Sequence, residues 1–195
     1  KLFKGVFDLP AHFATDGSQF DELLEPGKSY TAGTLNFEVL ATPGHTPADV
    51  TFKFGDAIFT GDALFMPDMG TGRCDFPGGS AEDMYDSIMA LYDLPEDTQV
   101  YVGHDYMPGG RELAYVAPLS EHISDNVALP KDRSREDFVQ WRQNRDSGLD
   151  APRLLFQSVQ VNVDAGSLPE PSSETGRAYL KIPVNVFRPA TKAED

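Results

Sequence analysis

The sequence predicts an α/β domain with a mixed, largely antiparallel sheet and outer helices. Three observations carry that reading. Alternating apolar segments follow one another closely between residues 35 and 60, a capped amphipathic stretch runs over 80–92, and a further apolar strand at 100–102 is followed by two helical patterns. With 195 residues, 40% of them hydrophobic, the chain is long enough to build a core without a disulfide framework.

The first 30 residues alternate short apolar patches with turn chemistry at Pro10, Asp16-Gly17 and Pro26-Gly27, which predicts connected loops and at most one short helix. Leu35, Phe37 and Val39 then alternate with polar neighbours, and Pro43-Gly44 ends that strand. Residues 50–54 repeat the alternation, Gly55-Asp56 turns the chain, and 57–60 is a short apolar run, so a three-stranded meander is expected. From Phe65 to Gly79 the chain is rich in Gly, Pro and Asp without periodicity, and a long loop of this kind is often functional. Ser80 and Asp83 form a capping pair for a helix over 81–92 whose Met84, Ile88 and Leu91 share one face. A strand at 100–102 and helices at 118–127 and 134–149 follow, with Ser134 and Asp137 repeating the cap pattern. Beyond Pro152 lie Leu154-Leu155-Phe156, then Val159, Val161 and Val163, and a Pro/Ser/Glu-rich link before Tyr179. Composition offers no clean boundary, so one domain is expected, with 152–195 as an extended C-terminal segment.

A formal charge of −15 and no cluster of Lys and Arg disfavour nucleic acid and anionic membrane surfaces as partners. No apolar run approaches the roughly 20 residues that a membrane span requires. The single cysteine, Cys74, cannot form an internal bridge, and cysteine poverty suits a reducing compartment, with the cytoplasm as the expected location. The chain opens on Lys1 and enters an apolar segment without a capping residue, which reads as the interior of something longer.

Three positions share one context. His45 follows the first strand in Thr42-Pro43-Gly44-His45-Thr46, Asp62 follows the third in Thr60-Gly61-Asp62, and His104 follows the fourth in Val102-Gly103-His104-Asp105-Tyr106. Each has a Gly directly before it, which lets the backbone bend sharply or another group approach closely. Two imidazoles and a carboxylate at converging strand ends are the raw material of a metal site. His12 and His122 lack this context and read as structural. Arg73 either holds a substrate carboxylate through its planar fork or pairs with Asp75 or Asp62. Tyr106 either donates to a site oxygen or is a packed ring, and Cys74 is either a reactive thiol or structural.

The strings around His45, Asp62 and His104 resemble the second half of a metallo-β-lactamase-fold protein. The loop Gly72-Arg73-Cys74-Asp75-Phe76-Pro77-Gly78-Gly79 is similar to the persulfide dioxygenase branch, and 153–162 with the stretch from Tyr179 resemble bacterial β-lactamase-hydrolase-like proteins. The resemblance implies the αββα fold, here mostly the C-terminal half of the sandwich, as one partial domain over 1–195. The family's His-x-His-x-Asp-His motif occurs nowhere in these residues and is expected upstream of Lys1.

In that family the resemblance implies one Fe(II) per complete site, with zinc as the alternative metal, held by His45, Asp62 and a histidine of the absent motif. His104 corresponds to the second metal position. The implied reaction converts glutathione persulfide, O₂ and water to glutathione and sulfite. Asp62 and Tyr106 are the candidates at the chemistry and Arg73 and Tyr106 those for holding the substrate, while Arg153 and Lys181, scarce cations in an acidic chain, are candidates for the cofactor's distal carboxylate. This chain alone is expected to bind iron weakly. A two-metal thioester hydrolase of the glyoxalase II type is the alternative enzyme. A non-catalytic fragment is the third reading, in which bare sheet edge and apolar surface favour a homo-oligomer.

Overall fold

A computed structural model describes residues 2–150 and 152–184, and they divide into two compact units, one of them residues 24–149. The other joins the first 23 residues to the chain from 150 onward. The tail that reads as an extension from 152 therefore shares a unit with the N-terminal residues.

The larger unit is a six-stranded sheet in the order β1 (Ser29–Ala32), β2 (Leu35–Ala41), β3 (Val50–Phe54), β4 (Ala57–Phe59), β5 (Gln99–Tyr101) and β6 (Val116–Pro118). Every neighbouring pair is antiparallel except β4 and β5, which run parallel. A parallel pair needs a crossover, and α2 (Ala81–Leu91) lies on it. The meander expected over 35–60 is β2 to β4.

Successive strand residues face opposite sides. Ile58 and Val100 point to one side, where they are buried with Met84, Ile88 and Leu91 of α2, Leu119 of α3 (Leu119–Asp125) and Phe138 of α4 (Arg135–Asp146). The three α2 residues lie inward, as their spacing predicts, and Ser80 Oγ accepts the Asp83 N–H at 3.0 Å as the helix cap. Ser134 Oγ accepts the Asp137 N–H at 3.2 Å in the same way on α4. The opposite face of the sheet carries an aromatic series across its strands, in which Tyr30 stacks on Phe37, Phe37 on Phe54, and Phe59 on Tyr101.

Three elements depart from expectation. β1 is only four residues long, too short for alternation to register, and is held by a full set of pairs to β2. Pro118, read as a helix start, ends β6 opposite Gln99. Lacking an N–H, proline is tolerated on such an edge strand, and here it is also the residue before α3. That helix stops at Asp125 because Asn126 Oδ1 accepts the N–H groups of Ala128 and Leu129 at 3.0 and 2.8 Å, turning the chain. The third is α5 (Leu155–Asn162), a helix where Val159 and Val161 alternate with polar residues.

In the smaller unit, α1 (Leu2–Val6) is followed by Phe7, which meets Phe156 of α5 edge-on at 6.1 Å between centroids. Gln160 brackets the Lys181 backbone, accepting its N–H at 2.9 Å and donating to its carbonyl at 2.8 Å. The C-terminal reach of the segment expected at 152–195 lies outside the described residues from 185 on. Among the described residues no helix is long and apolar enough to cross a membrane.

His122 on α3 is fully buried, and among the described residues neither ring nitrogen meets a hydrogen-bond partner. Burial depresses its pKa from 6.5 to about 4. Between those values the unfolded chain holds a proton that the folded chain does not. Stability from this group is therefore complete above pH 6.5 and declines as pH falls toward 4, by about 3 kcal/mol across that window. Replacing His122 with Leu is expected to lower the proton uptake on unfolding by about one in this window, measured as the pH dependence of urea denaturation.

Candidate functional site

The parallel pairing of β4 with β5 sets the two chain segments that follow them side by side. Thr60 donates its N–H to the Tyr101 carbonyl at 3.1 Å, and Gly103 donates to the Gly61 carbonyl at 3.2 Å. Asp62 and His104, one residue further on in each segment, consequently emerge together. His104 Nε2 lies 3.3 Å from Asp62 Oδ1, and His45 Nε2 lies 3.5 Å from Asp62 Oδ2. The two imidazoles thus address different oxygens of one carboxylate. His45 is largely enclosed, with 13% of its side chain exposed, whereas His104 is 58% exposed.

His45 is oriented from behind. Its Nδ1 lies 2.7 Å from the Arg73 carbonyl oxygen, which can only accept, so Nδ1 is the donor and Nε2 is turned toward Asp62. Phe76 meets the same imidazole edge-on at 4.7 Å. The loop between Asp62 and Ser80 presses close enough to need glycine. At Gly72 a Cβ would lie 1.9 Å from the Asp62 carbonyl oxygen, and at Gly44, beside His45, one would lie 2.6 Å from Met84 Cα.

Arg73 adopts the paired alternative: Nε and Nη2 each donate to an Asp75 carboxylate oxygen at 2.6 Å, and the guanidinium lies 5.2 Å from the Phe76 ring centroid. Those bonds hold the Asp75 carboxyl below its ordinary pKa. Tyr106 is 57% exposed and packs edge-on against Phe65 with its ring 6.0 Å from that of His104. Cys74 takes the structural alternative: it is buried, and burial pushes its thiol up to about 12, far from the thiolate that a reactive cysteine needs. Arg153 and Lys181 belong to the other unit, where Arg153 is exposed and Lys181 Nζ is engaged by the Asp8 carboxylate at 3.0 Å.

Sequence reasoning missed Asp105, Asp146 and Arg142. Asp146 Oδ2 accepts the Cys74 N–H at 2.7 Å, and Arg142, ion-paired with Asp146, donates to the Thr71 carbonyl at 3.3 Å. Both side chains are at most 4% exposed. Their i,i+4 spacing on α4 was the one available sign. Asp105 accepts from Arg111, Ala114 and Met107, and the Arg111 bonds foremost hold its carboxyl far below the usual carboxylate range.

A family model, the metallo-beta-lactamase superfamily, matches residues 8–104, and the crystal structure of ETHE1 from Myxococcus xanthus superposes with a TM-score of 0.69. The chain has the metallo-β-lactamase fold. That structure is 37% identical in sequence, with 79% of this chain and 65% of the other covered. Glyoxylase B2 of Dictyostelium discoideum is 43% identical over 189 residues, which are 96% of this chain and 64% of that protein. Human mitochondrial persulfide dioxygenase ETHE1 is 43% identical over 153 residues, 77% of this chain and 56% of the relative. The chain thus spans less than two thirds of these proteins.

Imidazole and carboxylate donors with a fixed imidazole tautomer fit a first-row divalent metal in kind. Among the described residues, no group of three or more His, Cys, Asp or Glu is gathered tightly enough to hold an ion unaided. The metallo-β-lactamase-fold chain therefore brings His45, Asp62 and His104 to one place as a partial donor set.

Two outcomes test this framework. Gly72→Ala is expected to displace Asp62 and weaken Co²⁺ binding by about tenfold or more, read by titrating the visible spectrum. Asp146→Ala, which strands a buried guanidinium, is expected to cost roughly 3 kcal/mol or more in chemical denaturation.

Proposed function

We propose that the protein carrying this chain oxidises a low-molecular-weight persulfide of the glutathione persulfide type. One persulfide, one O₂ and one water give the thiol, sulfite and two protons. The observation supporting this reading is the bond from His45 Nδ1 to the Arg73 carbonyl, which seats the loop similar to the dioxygenase branch directly on the metal-facing imidazole. His45 and Asp62 would hold a ferrous ion, with the remaining donors coming from elsewhere. Ferrous iron supplies the electron-transfer chemistry toward O₂, and a 2-His-1-carboxylate set is the arrangement associated with such oxygenases.

The chain's own residues define the surroundings. Phe65 and Phe76, against Tyr106 and His45, narrow the space in which water can compete. Tyr106 presents an exposed phenol beside His104 that can donate to an anionic oxygen of the substrate. Arg73, held by Asp75 and lying beside Phe76, shapes the loop whose carbonyl seats His45.

A second reading has one specific observation in its favour: the two Asp62 oxygens face separate imidazoles, as a carboxylate shared by two metal ions would. That reading is thioester hydrolysis, and a glyoxylase is among the relatives.

Metal content and oxygen consumption separate the two. Loaded anaerobically with ferrous ion, the protein is expected to hold one iron per chain and to consume one O₂ per sulfite formed from glutathione persulfide. Asp62→Ala should lower turnover by about a hundredfold or more, whereas His104→Ala should retain its iron. Two metals per chain, with hydrolysis of S-lactoylglutathione and no oxygen uptake, would overturn the dioxygenase reading.

A further inference from the structure

We propose that Arg111 is a positioning residue for the candidate site, cross-linking the loop that follows Asp62 to the turn that bears His104 and Tyr106. The proposal rests on the reading of those side chains as site groups.

Arg111 lies in a Gly109-Gly110-Arg111 turn, and among the described residues its hydrogen bonds go to none of His45, Asp62 and His104. Its guanidinium reaches two carboxylates from different segments. Nε and Nη2 donate to Asp68 Oδ2 and Oδ1 at 2.6 and 2.8 Å, and Nη1 and Nη2 donate to Asp105 Oδ2 and Oδ1 at 2.7 and 2.8 Å. Nη1 also donates to the Glu112 carbonyl at 2.9 Å. A guanidinium has five N–H donors, and these five bonds occupy all of them. Arg111 therefore has no donor left for a substrate anion, which excludes the ordinary role of an arginine beside an active site. Two forked pairs at right distances are geometrically demanding, and a lysine cannot reproduce them.

The consequence falls on the neighbours of Asp105. That side chain is 1% exposed and also accepts the N–H groups of Met107 and Ala114, at 3.1 and 2.8 Å. Met107, a non-glycine residue at φ 48°, is in the left-handed region, and such a conformation persists only where its surroundings over-determine it. Asp105 is thus the hub of the turn, with His104 and Tyr106 attached on either side. Asp68 is only six residues beyond Asp62, in a segment pinned by the bond from the Thr60 hydroxyl to the Leu64 carbonyl at 2.8 Å. Joining Asp105 to Asp68 through one rigid fork sets where His104 stands relative to Asp62, and where Tyr106 lies on Phe65. Without it, two carboxylates face each other across the gap, and the exposed His104 loses the cross-link that steadies the turn bearing it.

The test reads the four histidines, of which only His104 belongs to this turn. With ¹³C at His Cε1, the metal-free protein carrying Arg111→Gln is expected to shift or broaden the His104 resonance. Those of His12, His45 and His122 should stay in place. Arg111→Lys, which keeps the charge but not the fork, should resemble the Gln variant, and Asp68→Asn at an exposed carboxylate should give a smaller change of the same kind. With substrate, KM for glutathione persulfide should rise about tenfold while kcat changes much less. An unmoved His104 signal in Arg111→Gln would refute the proposal, as would four signals moving together or full restoration by Lys. Should Arg111→Gln not fold, an unmoved His104 in Asp68→Asn refutes it equally. The resonances need neither metal nor substrate, so this outcome is distinct from success or failure of the oxygenase reading.

Discussion

A long irregular loop buried beside a sheet must find partners for its own peptide groups, and that requirement organises most of this molecule. Buried N–H and C=O groups without partners each cost as much as a lost hydrogen bond. Between Asp62 and Ser80 part of the backbone bonds to itself, with Phe65 donating to Gly70, Gly72 to Ala63 and Gly79 to Phe76. Side chains supply further partners. Asp146 takes the Cys74 N–H, Arg142 serves Thr71, His45 serves Arg73, and the Thr60 hydroxyl serves Leu64. His45 is therefore at once a candidate metal ligand and part of what holds the loop down.

The same economy governs charge. In a chain of net charge −15 several arginines join separate segments. Arg135 of α4 meets Asp86 of α2, Arg111 spans Asp68 and Asp105, and Arg142 anchors Asp146 beneath the site loop. The exposed pairs contribute little individually. The buried Arg142–Asp146 pair differs because removal of either partner leaves an uncompensated charge in the interior.

Functionally the decisive geometry is the single parallel pairing in an otherwise antiparallel sheet. Antiparallel neighbours place successive chain ends at opposite edges, whereas β4 and β5 end on the same one. Asp62 and His104 then leave adjacent strands together, and the β2–β3 connection brings His45 to them. Both the oxygenase and the hydrolase readings need this convergence. They part over how many ions the Asp62 carboxylate serves.

Much of this was legible in the residues alone. The alternation of β2 to β4, the capped α2 with its inward Met84, Ile88 and Leu91, and the three glycine-preceded positions after strands are local patterns, set by periods of two and 3.6 residues and by turn chemistry. Four-residue β1 and Pro118 of β6 were not, since such short strands exist only by pairing with a neighbour. Val159 and Val161 likewise alternate as a strand would, yet lie in α5. Whether Arg73 faced Asp75, Asp62 or a substrate was open in the sequence. The fold brings Asp75 within reach of its guanidinium, a pairing that the sequence left open. Arg111 shows the limit most sharply: its partner Asp68 lies 43 residues away, a separation no local pattern encodes and only the tertiary structure closes.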